Sequence, residues 1–318
     1  MIVLVVVAAL VALLAIVLVV NAVRLKPTPV PDPLPPSDAR GDDAAVARFQ
    51  ELLRCETVWD LHNPDADRSA FDEFRPAAAS PVPARVRQPR AGAYRRVRHL
   101  AFVEGADRAL APVVLMAHHD VVPADASEWA HDPFAADIAD GKIFARGAVD
   151  TKCIWAALME AAEHLLKEGY VPPRDVYFFS SNTEEDGGDT APHMVEHLKS
   201  IGRVPYMVLD EGGAVIDNPP LGVKGQFAVV GVAEKGIFDA FITTSAEGGH
   251  AATPSLRGRH GEASCRASTA CRRTRRRPSC PLRWPAMLRE LAAHGSFGLR
   301  IVFANLWLFR PVVVRIMQ

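Results

Sequence analysis

No CxxC pair occurs in this sequence, and its cysteines number five: Cys55, Cys153, Cys265, Cys271 and Cys280. An odd count argues against a closed disulfide framework. Three of the five fall in one arginine-rich stretch, so cysteine does not set the compartment. Neither sign of charge dominates, since 36 Lys and Arg face 37 Asp and Glu for a formal net charge of -1. That balance excludes a polyelectrolyte mode of nucleic-acid binding for the chain as a whole. Internal repeats are lacking. Charge is missing altogether from residues 1–20, where Val, Leu, Ile and Ala dominate.

The missing charge has a physical consequence. About 20 apolar residues rising ~1.5 Å each span a bilayer core of roughly 30 Å. A cleaved signal peptide also begins with an apolar run. Here, however, a basic leading region and a clear small-x-small cleavage site are absent, and the run is long. Residues 1–24 are therefore expected to form an uncleaved transmembrane anchor, with a signal sequence as the alternative. Residues 25–40 follow with six prolines, Pro27, Pro29, Pro31, Pro33, Pro35 and Pro36. Alternating prolines favour an extended, semi-rigid spacer.

The remaining chain is long enough, and at 49% apolar rich enough, for a sizeable core. Asp42 and Asp43 can cap a helix whose apolar positions are Val46, Phe49, Leu52 and Leu53. Residues 61–90 are polar, carry prolines and show no clear period. Residues 113–117 form a short, continuous apolar run, as in a buried parallel strand. Residues 151–168 read as a helix with Ile154, Ala157, Leu158, Ala161, His164 and Leu165 on one face. A strand is expected at 175–180, a helix at 191–201 and a strand at 206–209. This order implies an α/β fold with a parallel-rich sheet flanked by helices. Strands at 227–233 and 238–245 suggest the start of a second, antiparallel region.

Polar landmarks sit just after these strands. Residues 113–117 run into His118-His119-Asp120, residues 143–149 into Asp150, residues 175–180 into Glu184-Glu185, and residues 206–209 into Asp210-Glu211. Singly, a strand-end Asp is an ordinary helix cap and a His an ordinary polar residue. Four strands delivering imidazole and carboxylates to one sheet edge point instead to a ligand site. Carboxylate oxygen and imidazole nitrogen suit zinc, and such crowding without a cation would raise every carboxyl pKa. Two cations relieve the repulsion and activate water near neutral pH. One of the adjacent acids Glu184 and Glu185 can then ligate while the other takes the proton.

Over roughly residues 46–254 the sequence resembles the zinc-dependent aminoacylase, Gly-X carboxypeptidase and glutamate carboxypeptidase family. The resemblance rests on His118-x-Asp120-Val-Val-Pro, Ala-Arg146-Gly-x-x-Asp150-x-Lys152, Glu184-Glu185-x-Gly-Gly and Leu-Asp210-Glu-Gly. It implies a phosphorylase/hydrolase-like catalytic domain and two zinc ions per site. His118 and Asp210 would ligate one zinc, Asp150 would bridge and Glu185 would ligate the second. Glu184 would be the general base, and Asp120 would orient the His118 ring. Glu247-Gly-Gly-His250 matches a loop of the family's inserted lid or dimerisation domain, where His250 would polarise the scissile carbonyl. The expected substrate is a small N-acyl amino acid or a short peptide. The expected partners are the membrane, through residues 1–24, and a second copy through the lid; nucleic acid is not expected.

The expected domains are the anchor 1–24, the linker 25–40, the first part of the catalytic domain 41–222 and a partial α+β lid 223–318. Arg24 and Lys26 weakly favour a cytoplasmic carboxyl side. Singly anchored hydrolases often face outward, and an extracytoplasmic catalytic domain is the expectation. Two departures from the family stand out. Residues 256–283 hold nine arginines against one acid, Glu262, with no helical or strand period. The reading adopted is translation out of frame there, ahead of a basic nucleic-acid or lipid patch, which no aromatic residue interleaves. The family's final zinc-binding His, which completes the second site, has no match before Gln318. An amide hydrolase is therefore weighed against an inactive remnant that binds at most one metal ion.

Overall fold

The computed structural model describes residues 1–29, 32, 43–60, 63, 68–79, 86–87, 99–219, 222–232 and 284–316. The chain divides into two compact units, one made of Met1–Leu34 with Gly212–Gln318 and the other of Pro35–Glu211. The first unit opens with one long apolar helix, α1 (Ile2–Arg24).

The second unit is an α/β sandwich. Its elements are α2 (Asp43–Arg54), α3 (Ser69–Ala79), β1 (Val86–Arg87), β2 (His99–Val103), β3 (Val113–His118), β4 (Asp137–Ala139), β5 (Lys142–Phe144), α4 (Lys152–Lys167), β6 (Val176–Ser181), α5 (Thr190–Ser200) and β7 (Met207–Leu209). The main sheet has the order β1-β2-β6-β3-β7. Strand β3 pairs in parallel with both β6 and β7. Strand β2 runs antiparallel to β6, and β1 antiparallel to β2. The sheet is thus mixed, with its parallel half under the expected site.

Side chains alternate across the sheet because successive Cβ atoms point to opposite faces. Ala101, Val103, Leu115, Ala117, Val176 and Phe178 meet Leu52, Cys55, Phe74 and Trp155 on one face. Leu100, Phe102, Val114, Met116, Tyr177 and Phe179 meet Met194 and Leu198 of α5 on the other. Both faces are covered, which is why β3 and β6 read as unbroken apolar runs.

Two expectations are corrected here. Residues 143–149 do not form a strand of the main sheet. β5 stops at Phe144 and pairs only with β4 in a two-stranded ribbon. Gly147 then turns at φ +86, and a Cβ there would lie 3.0 Å from Val121 Cγ1. Helix α4 matches the expected span, and Ile154 and Leu158 pack on the core as expected, but the rest of its buried face is rotated. Lys152, Trp155 and Glu163 are buried, with Leu158, Met159, Ala162 and Leu166 packed beside them. Ala157, Ala161, His164 and Leu165 are exposed. Alanine at many α4 positions blurs the apolar period, and the bulk of Trp155 decides which side turns inward.

The first unit continues with the hairpin β8 (Ala214–Asp217) and β9 (Gln226–Val229), followed by α6 (Trp284–Ala293), α7 (Phe297–Ala304) and α8 (Leu306–Ile316). Trp284, Leu288, Ala292, Phe303 and Val313 form its core. The strand expected at 238–245 and the segment 256–283 lie outside the described residues.

The rotated face of α4 is testable by denaturant unfolding followed by circular dichroism. Trp155→Ala should lower the unfolding free energy by about 3–5 kcal/mol. Leu165→Ala should change it by no more than about 0.5 kcal/mol. Equal costs at the two positions would contradict this packing.

Candidate metal centre

Strand β3 places His118 opposite Ser181 at the end of β6, and the His119 amide donates to the Ser181 carbonyl at 2.9 Å. The ladder thereby brings the residues after β3 against those after β6. Asp120 is fully buried, and its Oδ2 accepts from the Glu185 amide at 3.0 Å. Burial pushes the Asp120 carboxyl above its usual range, against the pull of the Glu185 and Glu184 amides.

Asp150 arrives on the turn ahead of α4. Two residues on, fully buried Lys152 donates from Nζ to the carbonyls of Leu52 at 3.1 Å and Cys55 at 2.6 Å. A lysine capping the last carbonyls of α2 ties that turn to the core. Burial lowers the Lys152 ammonium to about 8.

The centre of the cluster is the His118 ring. Its Nδ1 lies 2.9 Å from the main-chain oxygen of Asp120. A carbonyl only accepts, so Nδ1 carries the hydrogen, and in neutral imidazole Nε2 is then a bare lone pair. Yet Nε2 lies 2.9 Å from Asp150 Oδ1, 3.3 Å from Glu211 Oε1 and 3.8 Å from Glu184 Oε2. Ionised carboxylates are acceptors as well. The arrangement therefore demands a proton, on the ring or on a facing carboxyl, or a cation at its middle. Burial opposes charging His118, but Glu211 and Asp120 outweigh it and hold the imidazole pKa above its usual value. Burial raises Glu184, Glu185 and Glu211, and neighbouring carboxylates add to each rise while His118 offsets part of it.

Two overlapping donor groups share the ring nitrogen. One is His118, Glu184 and Glu211; the other is His118, Asp150 and Glu185. Within each group the donor atoms lie no more than 4.8 Å apart. One nitrogen and carboxylate oxygens make a donor set that fits zinc.

Of the residues expected from sequence, His118, Asp120, Asp150, Glu184 and Glu185 are brought together. Asp120 holds the ring through its main-chain oxygen, while its Oδ1 stands 3.6 Å from Nδ1. Asp210 is exposed and belongs to neither group, though its charge reaches Glu184. Its neighbour Glu211 occupies the place beside His118, and sequence reasoning passed over it. The only signal was a second acid directly after the motif Asp. His250 lies outside the described residues.

The model of peptidase family M20/M25/M40 matches residues 114–304. The N-fatty-acyl-amino acid synthase/hydrolase PM20D1 of Xenopus tropicalis is 35% identical over 223 residues, 69% of this chain and 43% of its own length. A probable carboxypeptidase S-like 2 of Dictyostelium discoideum is 32% identical over 220 residues, covering 68% of this chain and 42% of its own. The chain spans less than half the length of these relatives. The solved M20 family metallo-carboxypeptidase Sso-CP2 from Sulfolobus solfataricus superposes with a TM-score of 0.44 at 23% identity, over 57% of this chain and 39% of that one.

The raised pKa values fix the sign of a pH effect. Without metal, the His118 contribution to stability is complete below about pH 6.5 and is lost as pH rises through the higher folded value. The carboxyls of Asp120, Glu184, Glu185 and Glu211 behave alike from about pH 4 upward, since they too bind protons more tightly when folded. Metal binding needs these groups deprotonated. The thermal shift produced by zinc should therefore be larger at pH 7.5 than at pH 5.5. A shift of equal size at both values would remove His118 and the carboxylates from the metal site.

Proposed function

The chain belongs to peptidase family M20/M25/M40, and we propose that it hydrolyses an amide bond beside a free amino-acid carboxylate, in an N-acyl amino acid or a short peptide. The observation that carries this reading is the His118 Nε2 lone pair ringed by carboxylates of Asp150, Glu184 and Glu211. The Xenopus relative is an N-fatty-acyl-amino acid synthase/hydrolase, which supports the substrate class.

His118, Asp150, Glu185 and Asp210 are the proposed holders of two zinc ions, with Glu211 as a further oxygen donor. The first three form one donor group. Asp210 rests on its motif and on its proximity to Glu184. Bound zinc supplies Lewis acidity, which polarises a carbonyl and makes water nucleophilic near neutral pH. Glu184 is the proposed general base. Its side chain is 49% exposed, so water reaches it. Burial of the remainder lifts its pKa towards the working range, which makes it a better acceptor for the water proton. The same carboxyl then returns that proton to the leaving nitrogen. His250 is proposed, on its Gly-Gly-His motif, to polarise the scissile carbonyl from the lid.

Helix α1 is proposed as an uncleaved membrane anchor. It runs for 23 residues, and Arg24 is its first charge, which suits a bilayer core of roughly 30 Å.

Glu184→Gln should lower turnover by about 10²–10⁴-fold while metal content stays unchanged. Unchanged turnover would remove Glu184 from the chemistry. The choice between the adjacent acids is read by zinc titration of Asp210→Asn and Glu211→Gln. The reading expects Asp210→Asn to lose the more affinity, and a loss confined to Glu211→Gln would transfer the ligand role to Glu211.

A further inference from the structure

The mechanism leaves one buried polar hub unused, in the unit that carries both ends of the chain. Asn305, between α7 and α8, is 0% exposed. Its Oδ1 accepts from Asn21 Nδ2 at 2.8 Å and from Trp307 Nε1 at 3.3 Å. Its Nδ2 donates to the carbonyls of Leu18 at 3.1 Å and Ile301 at 2.8 Å. Both donors and both lone pairs of the amide are used. Asn21 is the first polar side chain of α1 after an unbroken apolar run.

This hub joins α7 and α8 to one end of α1 only. Ala22 is fully buried and Leu25 packs on the Trp284 cluster, whereas residues 1–17 of α1 are exposed. Just beyond, Thr28 donates to Glu290 of α6 from its amide at 2.9 Å and its hydroxyl at 2.7 Å. The attachment level, Leu18 to Leu25, is where an apolar run of bilayer length gives way to Arg24 and Lys26.

The outward side of α8 has a composition suited to that level. Trp307 is 63% exposed, Leu308 40%, Val312 57% and Ile316 79%. Leu308, Val312 and Ile316 follow at i, i+4 and i+8, with Arg315 and Pro311 on the same side. Residues 284–316 carry Arg289, Arg300, Arg310 and Arg315 against a single acid, Glu290. Tryptophan is enriched at the lipid headgroup level, and arginine can bury its stem while its head stays in water. A single straight span through α7 and α8 is excluded by their bend of 103°, and three arginines, Arg300, Arg310 and Arg315, favour the bilayer surface over its core.

We propose that α7 and α8 lie along the bilayer surface as an amphipathic interfacial pair, clamped to the exit end of α1 by Asn305, with α8 turning Trp307, Leu308, Val312 and Ile316 into an anionic lipid leaflet. This rests on the reading of α1 as an anchor. Such surface helices bind through apolar area together with attraction of basic residues to anionic lipid.

The test uses the full chain reconstituted in phosphatidylcholine vesicles, with and without phosphatidylglycerol, containing lipid brominated at shallow acyl positions. Flotation reads the anchor, and quenching of tryptophan emission reads the interface. The wild-type chain should float and be quenched, and Trp307→Phe should float but lose most of that quenching. Because Trp307 also bonds to Asn305, Val312→Trp gives an independent reading and should add a quenched component. Arg310→Gln with Arg315→Gln should reduce quenching in the anionic vesicles more than in the neutral ones. A chain that does not float overturns the anchor reading and this inference together. A chain that floats, with neither position accessible to the bromine, overturns the inference alone and assigns the face to a protein surface, such as a second copy of the chain.

Discussion

One imidazole nitrogen organises the unit Pro35–Glu211. The Asp120 carbonyl takes the hydrogen of His118 Nδ1 and leaves Nε2 facing three carboxylates. Lone pairs set against anions are repulsive unless positive charge intervenes. A proton can fill that role in acid, and a divalent cation can fill it at neutral pH. The cluster is thus built around a proton, carried by His118 or by a facing carboxyl, or around a cation bound in its place. Stability of the metal-free chain and affinity for metal are two expressions of the same electrostatics.

The sheet makes this crowding mechanically tolerable. Strands β3 and β6 place alternate residues in two apolar layers and so hold their carboxyl ends in fixed register. Site residues begin where that alternation stops. Asp120 accepts the Glu185 amide, and Lys152 holds the turn after Asp150 to the end of α2. The fold supplies rigidity from the core and places its electrostatic conflict at the rim, where Asp150 and Glu184 still meet solvent.

Much of this was legible in sequence because hydrophobic runs ended abruptly in clustered acids. β3, β6, α4 and α5 were readable for that reason, as was the convergence of His118, Asp150, Glu184 and Glu185. Other features depended on distant contacts or on local turns. β2 is five residues long, and its antiparallel place is set by pairing with β6, from Val103 with Val176 to His99 with Ser180, 73 to 81 residues away. Residues 143–149 looked like a strand, but the left-handed turn at Gly147 breaks the run. Asp210 and Glu211 are adjacent acids, and the direction of the turn, which no local pattern encodes, decides which one reaches His118. The role of Asn305 depends on Asn21, 284 residues earlier.

The unit carrying α1 expresses a different constraint. A polar side chain near the end of an apolar helix needs a partner, and Asn305 satisfies Asn21 while closing its own four hydrogen bonds. In the other unit the unmet requirement is charge, and it sits on His118. Zinc K-edge X-ray absorption of the loaded chain tests that claim most directly. Imidazole scattering together with an oxygen shell at about 2.0–2.2 Å, with the imidazole signal lost in His118→Ala, is the expected result. A shell of oxygen alone, identical in wild type and His118→Ala, would contradict it.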